Sequence, residues 1–98
     1  MYARVIQFPL KPDSISEAVD YFRTSVGPAL KELEGFKNSR MLTNPSTNQG
    51  LMVTIWESEA HRQAAETSGF LQGILKKMGD YFAGLPTIDY YEVNVQVA

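Results

Sequence analysis

Apolar residues recur along the chain in two rhythms, one of period two and one near 3.6. Tyr2 to Leu10 is rich in β-favouring side chains and is closed by Pro9 and Pro12, which predicts a strand. Within it Ala3 and Val5 face one way and Tyr2, Ile6 and Phe8 the other. Val19, Phe22, Val26, Leu30 and Leu33 then return every three or four residues, which marks one helix face. Ser14 followed by Glu17 has the spacing of a capping box. Gly27-Pro28 interrupts the stripe without shifting its phase, so the segment reads as one helix, kinked where proline cannot donate a hydrogen bond. Gly35 ends it as a left-handed cap. Phe36 to Thr43 reads as a second strand, Asn44 to Gly50 as a dense turn, and Leu51 to Glu57 as a third strand paired with the second in a hairpin. Ser58 suits the N-cap of a helix over Glu59 to Glu66, with Thr67-Ser68-Gly69 as a break. Phe70, Leu71, Ile74, Leu75, Met78, Tyr81 and Phe82 form a second helical stripe, stopped by Gly84 and Pro86. Thr87 to Val97 reads as the last strand. Tyr91, Val93, Val95 and Val97 take one of its faces and Tyr90, Glu92, Asn94 and Gln96 the other.

The order βαββαβ is the split βαβ, an α+β ferredoxin-like arrangement with a four-stranded antiparallel sheet and both helices on one face. The opposite face needs cover as well. In the third strand Leu51, Val53 and Ile55 take one face while Met52 and Trp56 take the other, and the first strand is likewise apolar on both sides. Two helices cover one face only, and an exposed sheet of this composition exceeds what soluble monomers tolerate. A homodimer packed through the bare sheet face is the simplest remedy.

Bulk composition narrows the function classes. The 98 residues are enough for one domain over 1–98 and bury a modest core by themselves. The net charge of −2 offers no electrostatic footprint for nucleic acid. No apolar run is long enough to span a membrane, and the N-terminus lacks the basic-then-apolar pattern of a signal peptide. There are no cysteines, which removes disulfides, thiolate nucleophiles and cysteine metal sites and fits a reducing cytoplasm. Phosphate-binding glycine loops, serine-nucleophile elbows and zinc-binding histidine motifs are all missing, as is any flavin or nicotinamide fingerprint.

Few side chains stand out as chemistry. Trp56, at the end of a strand, could wall a pocket for a planar ligand or simply fill core. His61, the only histidine, could serve as a general base or sit solvated on a polar helix face, and alone it makes no metal site. Asn38 and Arg40 share a strand face with Phe36 and Leu42 and could point into a pocket or into solvent. Of Tyr90 and Tyr91 one should face inward, where a phenol needs a partner.

The stretch Ile55-Trp56-Glu57-Ser58-Glu59-Ala60, with Ser68-Gly69-Phe70 downstream and Leu33-Glu34-Gly35-Phe36 upstream, resembles the antibiotic biosynthesis monooxygenase-like family of dimeric α/β-barrel proteins. The resemblance covers nearly the whole chain in order and length. It implies a pocket that uses the tryptophan of the motif, an asparagine four residues before it and a tyrosine six residues after it. Here those positions hold Trp56, Met52 and Arg62, so two of the three polar partners differ. Haem-degrading relatives carry a tryptophan and a histidine where this chain has Ala64 and Ile74, and their first-strand asparagine has only Gln7 as a nearby amide, which disfavours that activity. The resemblance implies a cofactor-independent monooxygenase acting on a small phenol- or quinol-type aromatic. The loss of partners at Met52 and Arg62 equally fits a non-catalytic ligand-binding or stress-responsive dimer. The fold could also host an isomerase or lyase using His61 as base. The expected site is His61 and Arg62 as catalytic side chains and Trp56, Met52, Asn38 and Tyr91 as substrate contacts, with no bound cofactor and no metal.

Overall fold

The alternation of the first strand is realised in the sheet. The computed structural model describes residues 1–97. Strand β1 spans Tyr2–Pro9 and is followed by a 3₁₀ turn at Pro12–Ser14, helix α1 at Ile15–Tyr21, a π turn at Phe22–Val26 and helix α2 at Gly27–Lys31. Strands β2 (Phe36–Asn44) and β3 (Gln49–Trp56), helices α3 (Glu59–Thr67) and α4 (Phe70–Met78), and strand β4 (Thr87–Glu92) complete the chain. The strands lie in the order β2-β3-β1-β4 and every pair is antiparallel. This is the ferredoxin-like α+β arrangement that the element order predicts.

One face of the sheet carries the core. Ile6 and Phe8 of β1 and Met52 and Trp56 of β3 pack against Ala18, Val26 and Leu30 from the first helical run. Ala65, Leu71, Ile74 and Met78 from α3 and α4 close the same layer. Each large apolar side chain buried here stabilises the fold by roughly 1.5–3 kcal/mol. On the other face Val5, Leu51, Val53 and Ile55 are only half-buried, and Leu42 is exposed.

Several local features depart from what the pattern predicts. Ser14 caps nothing with its side chain: the preceding 3₁₀ turn holds it at φ −110°, ψ 1° rather than in the extended geometry that a capping oxygen needs. At Gly27-Pro28 the backbone stays helical, and a π turn takes up the proline's demand. The Gly27 N–H reaches back five residues to the Phe22 carbonyl, and Thr24 Oγ1 donates to the Asp20 carbonyl at 2.7 Å. Helix α4 stops at Met78. Tyr81 and Phe82 are still buried, but on a tight turn that brings Phe82 into a bridge with Leu10 and stacks its ring on Phe8 at 4.9 Å. The last strand ends at Glu92, because Glu92 pairs with Tyr2 and Val93 then donates to the Met1 carbonyl, where the partner strand runs out. A bulge between Phe36 and Asn38 separates residues that simple alternation puts together: Phe36 pairs with Trp56, whereas Asn38 pairs with Ile55 on the opposite face.

Other signals hold. Ser58 is extended at φ −145° and its hydroxyl accepts from the His61 N–H. Gly35 (φ +80°) and Gly69 (φ +88°) are left-handed, as helix breaks require. No helix among the described residues is long and apolar enough to cross a membrane.

Candidate active site beneath the third helix

A polar row crosses the helix-facing side of the sheet. Ser39 pairs with Thr54, Thr54 with Arg4, and Arg4 with Tyr90, so one residue from each strand stands in line. The adjacent row is Met41, Met52, Ile6 and Ile88, entirely apolar. Arg4 and Thr54 are 0% exposed. Trp56, one step further along β3 and also fully buried, holds its ring 5.9 Å from the Arg4 guanidinium and meets Phe36 edge-on at 6.0 Å.

Helix α3 covers this row with two charges. Arg62 is buried, bonds Glu66 Oε2 through Nη1 at 2.5 Å, and stacks its guanidinium over the Tyr90 ring at 4.1 Å. The Tyr90 hydroxyl donates to the other Glu66 oxygen, Oε1. Each carboxylate oxygen thus accepts one of these bonds, and Arg4 has no acceptor on Nε, Nη1 or Nη2. Trp56 Nε1 and Arg62 Nε are buried without partners too. A second carboxylate, the half-exposed Glu59, lies 3.5 Å from Arg62 Nη2, so Arg62 has two acidic partners while Arg4 has no hydrogen-bond acceptor.

These surroundings shift two groups. Burial pushes the Arg4 guanidinium below its ordinary range, opposed first by the charge of Glu66 and then by Tyr90. It remains a cation at neutral pH, as arginine does in proteins. Burial and the hydrogen bond to Glu66 push the Tyr90 phenol above its ordinary value.

The row opens at one end on an external groove. A space of about 600 Å³ lies between the π turn and β2, walled by Phe22, Arg23 and Gly27 on one side and by Ser39, Arg40 and Met41 on the other. The Ser39 hydroxyl donates to the Val53 carbonyl at 3.0 Å, which leaves its oxygen to accept from Thr54 at 2.9 Å. Ser39 is thus both groove wall and first member of the buried row. The volume is within the range of small-molecule sites.

The residues singled out from sequence divide among three places. Trp56, Met52 and Arg62 come together beneath α3 on the helix-facing side. His61 lies one position from Arg62 but turns outward: its Nδ1 is 2.7 Å from Ser58 Oγ, its Nε2 is 3.8 Å from Glu34, and its ring lies against Gly35. Asn38 is exposed and Tyr91 is 55% exposed, both on the opposite sheet face. Tyr90 is the tyrosine that faces the helices. Arg4 and Glu66 were missed. Arg4 stands in phase with Tyr2, Ile6 and Phe8, and a charge at a core position of a strand was the available signal. Glu66 follows Arg62 by four residues, a helical ion-pair spacing. Among the described residues no three His, Asp or Glu side chains stand together as a metal site.

The comparisons with known proteins agree with this architecture. No curated protein matches the sequence. Among solved structures, a monooxygenase of Streptomyces coelicolor in complex with the ligand nanaomycin D superposes with a TM-score of 0.77 at 19% identity, over 99% of this chain and 90% of that one. A protein of unknown function from Nitrosomonas europaea gives 0.80 at 18% identity, over 99% and 92%. A conserved protein from Methanosarcina mazei gives 0.77 at 17% identity, over 96% and 94%. At such identities the likeness shows the fold. The family itself is shown by the sequence, because the antibiotic biosynthesis monooxygenase profile matches residues 1–75, and the chain belongs to that family.

Proposed function

We propose that this protein is a monooxygenase that oxidises a small aromatic of phenol, quinol or anthrone type, bound between the sheet and the helices and reacting with O₂ without a bound cofactor. The observation that carries the reading is Trp56, a wholly buried indole beside an unpaired guanidinium in a chain of this family. The reaction balances on the substrate alone. The methylene carbon of an anthrone, or of the keto tautomer of a phenol or quinol, loses a proton, its carbanion forms a C–O bond with O₂, and the hydroperoxide then loses water to leave a carbonyl. The substrate supplies all the electrons, one oxygen atom enters the product, and the other leaves as water. The protein contributes orientation of the ring and donors for the developing oxyanion. Oxygen uptake with a panel of anthrones and quinols tests this: turnover above buffer that falls in Trp56→Phe is expected, and no turnover with any of them refutes it.

A second reading is favoured by one observation. Met52 offers no strong hydrogen bond, and Arg62 is engaged by Glu66, so neither supplies a free polar partner at the positions the family uses. A ligand-binding dimer without turnover follows if aromatic ligands bind and oxygen uptake stays at the buffer rate.

The same proposal includes the homodimer. The half-buried stripe of Val5, Leu51, Val53 and Ile55 on the bare face fits a second copy of this chain. Sedimentation should give a dimer for the wild type and a monomer for Val53→Lys; a monomeric wild type refutes it.

A further inference from the structure

We propose that Arg4 is the anchor of an anion site that receives the carboxylate of an aromatic acid, with Trp56 Nε1–H as a second donor. This rests on the reading that a small aromatic lodges between sheet and helices, and it names the substituent such a ligand should carry.

The arrangement has an excess of unpaired donors. Three guanidinium nitrogens of Arg4, the indole nitrogen of Trp56 and Nε of Arg62 are all buried and unpartnered. The nearby carboxylate bonds Arg62 and Tyr90, and no hydrogen bond from Arg4 reaches it. A buried cation left in this state is costly, and such cost is retained where function uses the group. A single negative charge on a ligand would pair with the guanidinium that no carboxylate bonds. The planar fork of a guanidinium matches a carboxylate through two parallel hydrogen bonds, a fit that a phenol hydroxyl or a halide lacks. The Trp56 ring beside the fork offers the stacking face for the aromatic part of the same molecule.

Arg4 and Thr54 are wholly buried, so entry from the groove requires the row to part. Ser39 stands in the groove wall, Thr54 is the next member inward, and Arg4 follows it. The neighbouring row presents Met41 and Met52 along the same path. Methionine side chains repack at low cost, so these two are suited to give way to an entering ring.

The test is calorimetric titration under anaerobic conditions with 1-hydroxy-2-naphthoate, its neutral counterpart 1-naphthol, and inorganic phosphate. The wild type should prefer the naphthoate over naphthol by roughly tenfold or more, the value of a charge-assisted pair. Arg4→Met should erase that preference, keep naphthol binding, and raise the melting temperature, because an unpaired buried charge is removed. Arg4→Lys keeps the charge without the fork and should retain only part of the preference, which supplies a second reading if the methionine variant folds poorly. Equal binding of the two naphthalenes by wild type, an unchanged preference in both variants, or phosphate binding in place of the naphthoate would each overturn the proposal. Because binding is read without oxygen, failure of turnover leaves this result standing, and loss of the carboxylate preference leaves the oxygenase reading standing.

Discussion

Glu66→Gln probes the electrostatic balance beneath α3. The carboxylate is far better buried than Glu59, the other acidic partner of Arg62, and it holds Arg62 and Tyr90 at once. Glutamine keeps the shape and one acceptor but removes the charge. Deleting one partner of a buried pair costs about 3–5 kcal/mol. The side chains of Arg62 and Glu66 retain 11% and 14% exposure, so water relieves part of this. An expected loss of roughly 2–3 kcal/mol results. For a domain of this length each kcal/mol moves the melting temperature by about 4–8 °C, so the variant should melt roughly 10–20 °C lower. Urea unfolding followed by fluorescence is well suited, since Trp56 is the single tryptophan and lies within the cluster. The double variant Glu66→Gln, Arg4→Met should recover about 1 kcal/mol or more, because the charge left uncompensated is then gone. A Glu66→Gln loss under about 0.5 kcal/mol, or a double variant no better than the single, would refute the reasoning.

The remaining expectations concern neighbouring groups. Tyr90 has a folded-state pKa raised above the ordinary value near 10, so its contribution is complete below about pH 10 and fades as pH climbs through the raised value. Tyr90→Phe should remove that alkaline limb from the stability profile, and a limb of unchanged size would contradict the assignment. Ser58→Ala should cost about 0.5–2 kcal/mol through loss of the helix cap, whereas Ser14→Ala should be near neutral, both read by urea titration; equal losses would count against the capping account. Gly35→Ala should destabilise by at least about 1–2 kcal/mol, because φ is +80° and the added methyl would lie 2.2 Å from the His61 ring. Combining it with His61→Ala should recover only part of the loss, because the alanine Cβ still lies 2.5 Å from the added methyl and φ stays positive; full recovery would contradict this account.

Period-two and period-3.6 patterns made the sheet and both helical layers legible, because side-chain direction follows directly from backbone geometry. The two-sided apolar character of β1 and β3 was legible for the same reason. What escaped were features set by tertiary competition. The π turn arises from a proline accommodated inside a packed helix, and the bulge after Phe36 moves Asn38 to the far face, where no residue count reveals it. The capping box at Ser14 failed because a 3₁₀ turn had already bent the chain. In the candidate site, Trp56, Met52 and Arg62 were legible through family spacing. Arg4 was hidden by an average: one charge in an apolar strand changes its hydropathy little, though its phase with Ile6 and Phe8 fixes it in the core. Tyr90 and Tyr91 are adjacent, and only strand register against β1 decides between them.

Oxygenation itself is tested most directly with ¹⁸O₂. A hydroxyanthrone bearing a carboxylate, incubated with the wild-type protein under labelled oxygen, should yield the quinone with a single labelled carbonyl at a rate well above buffer. Trp56→Phe and Arg4→Met should both slow that incorporation. Quinone formed with unlabelled oxygen, or label entering at the buffer rate whatever the variant, would contradict a monooxygenase that works at the Trp56 and Arg4 cluster.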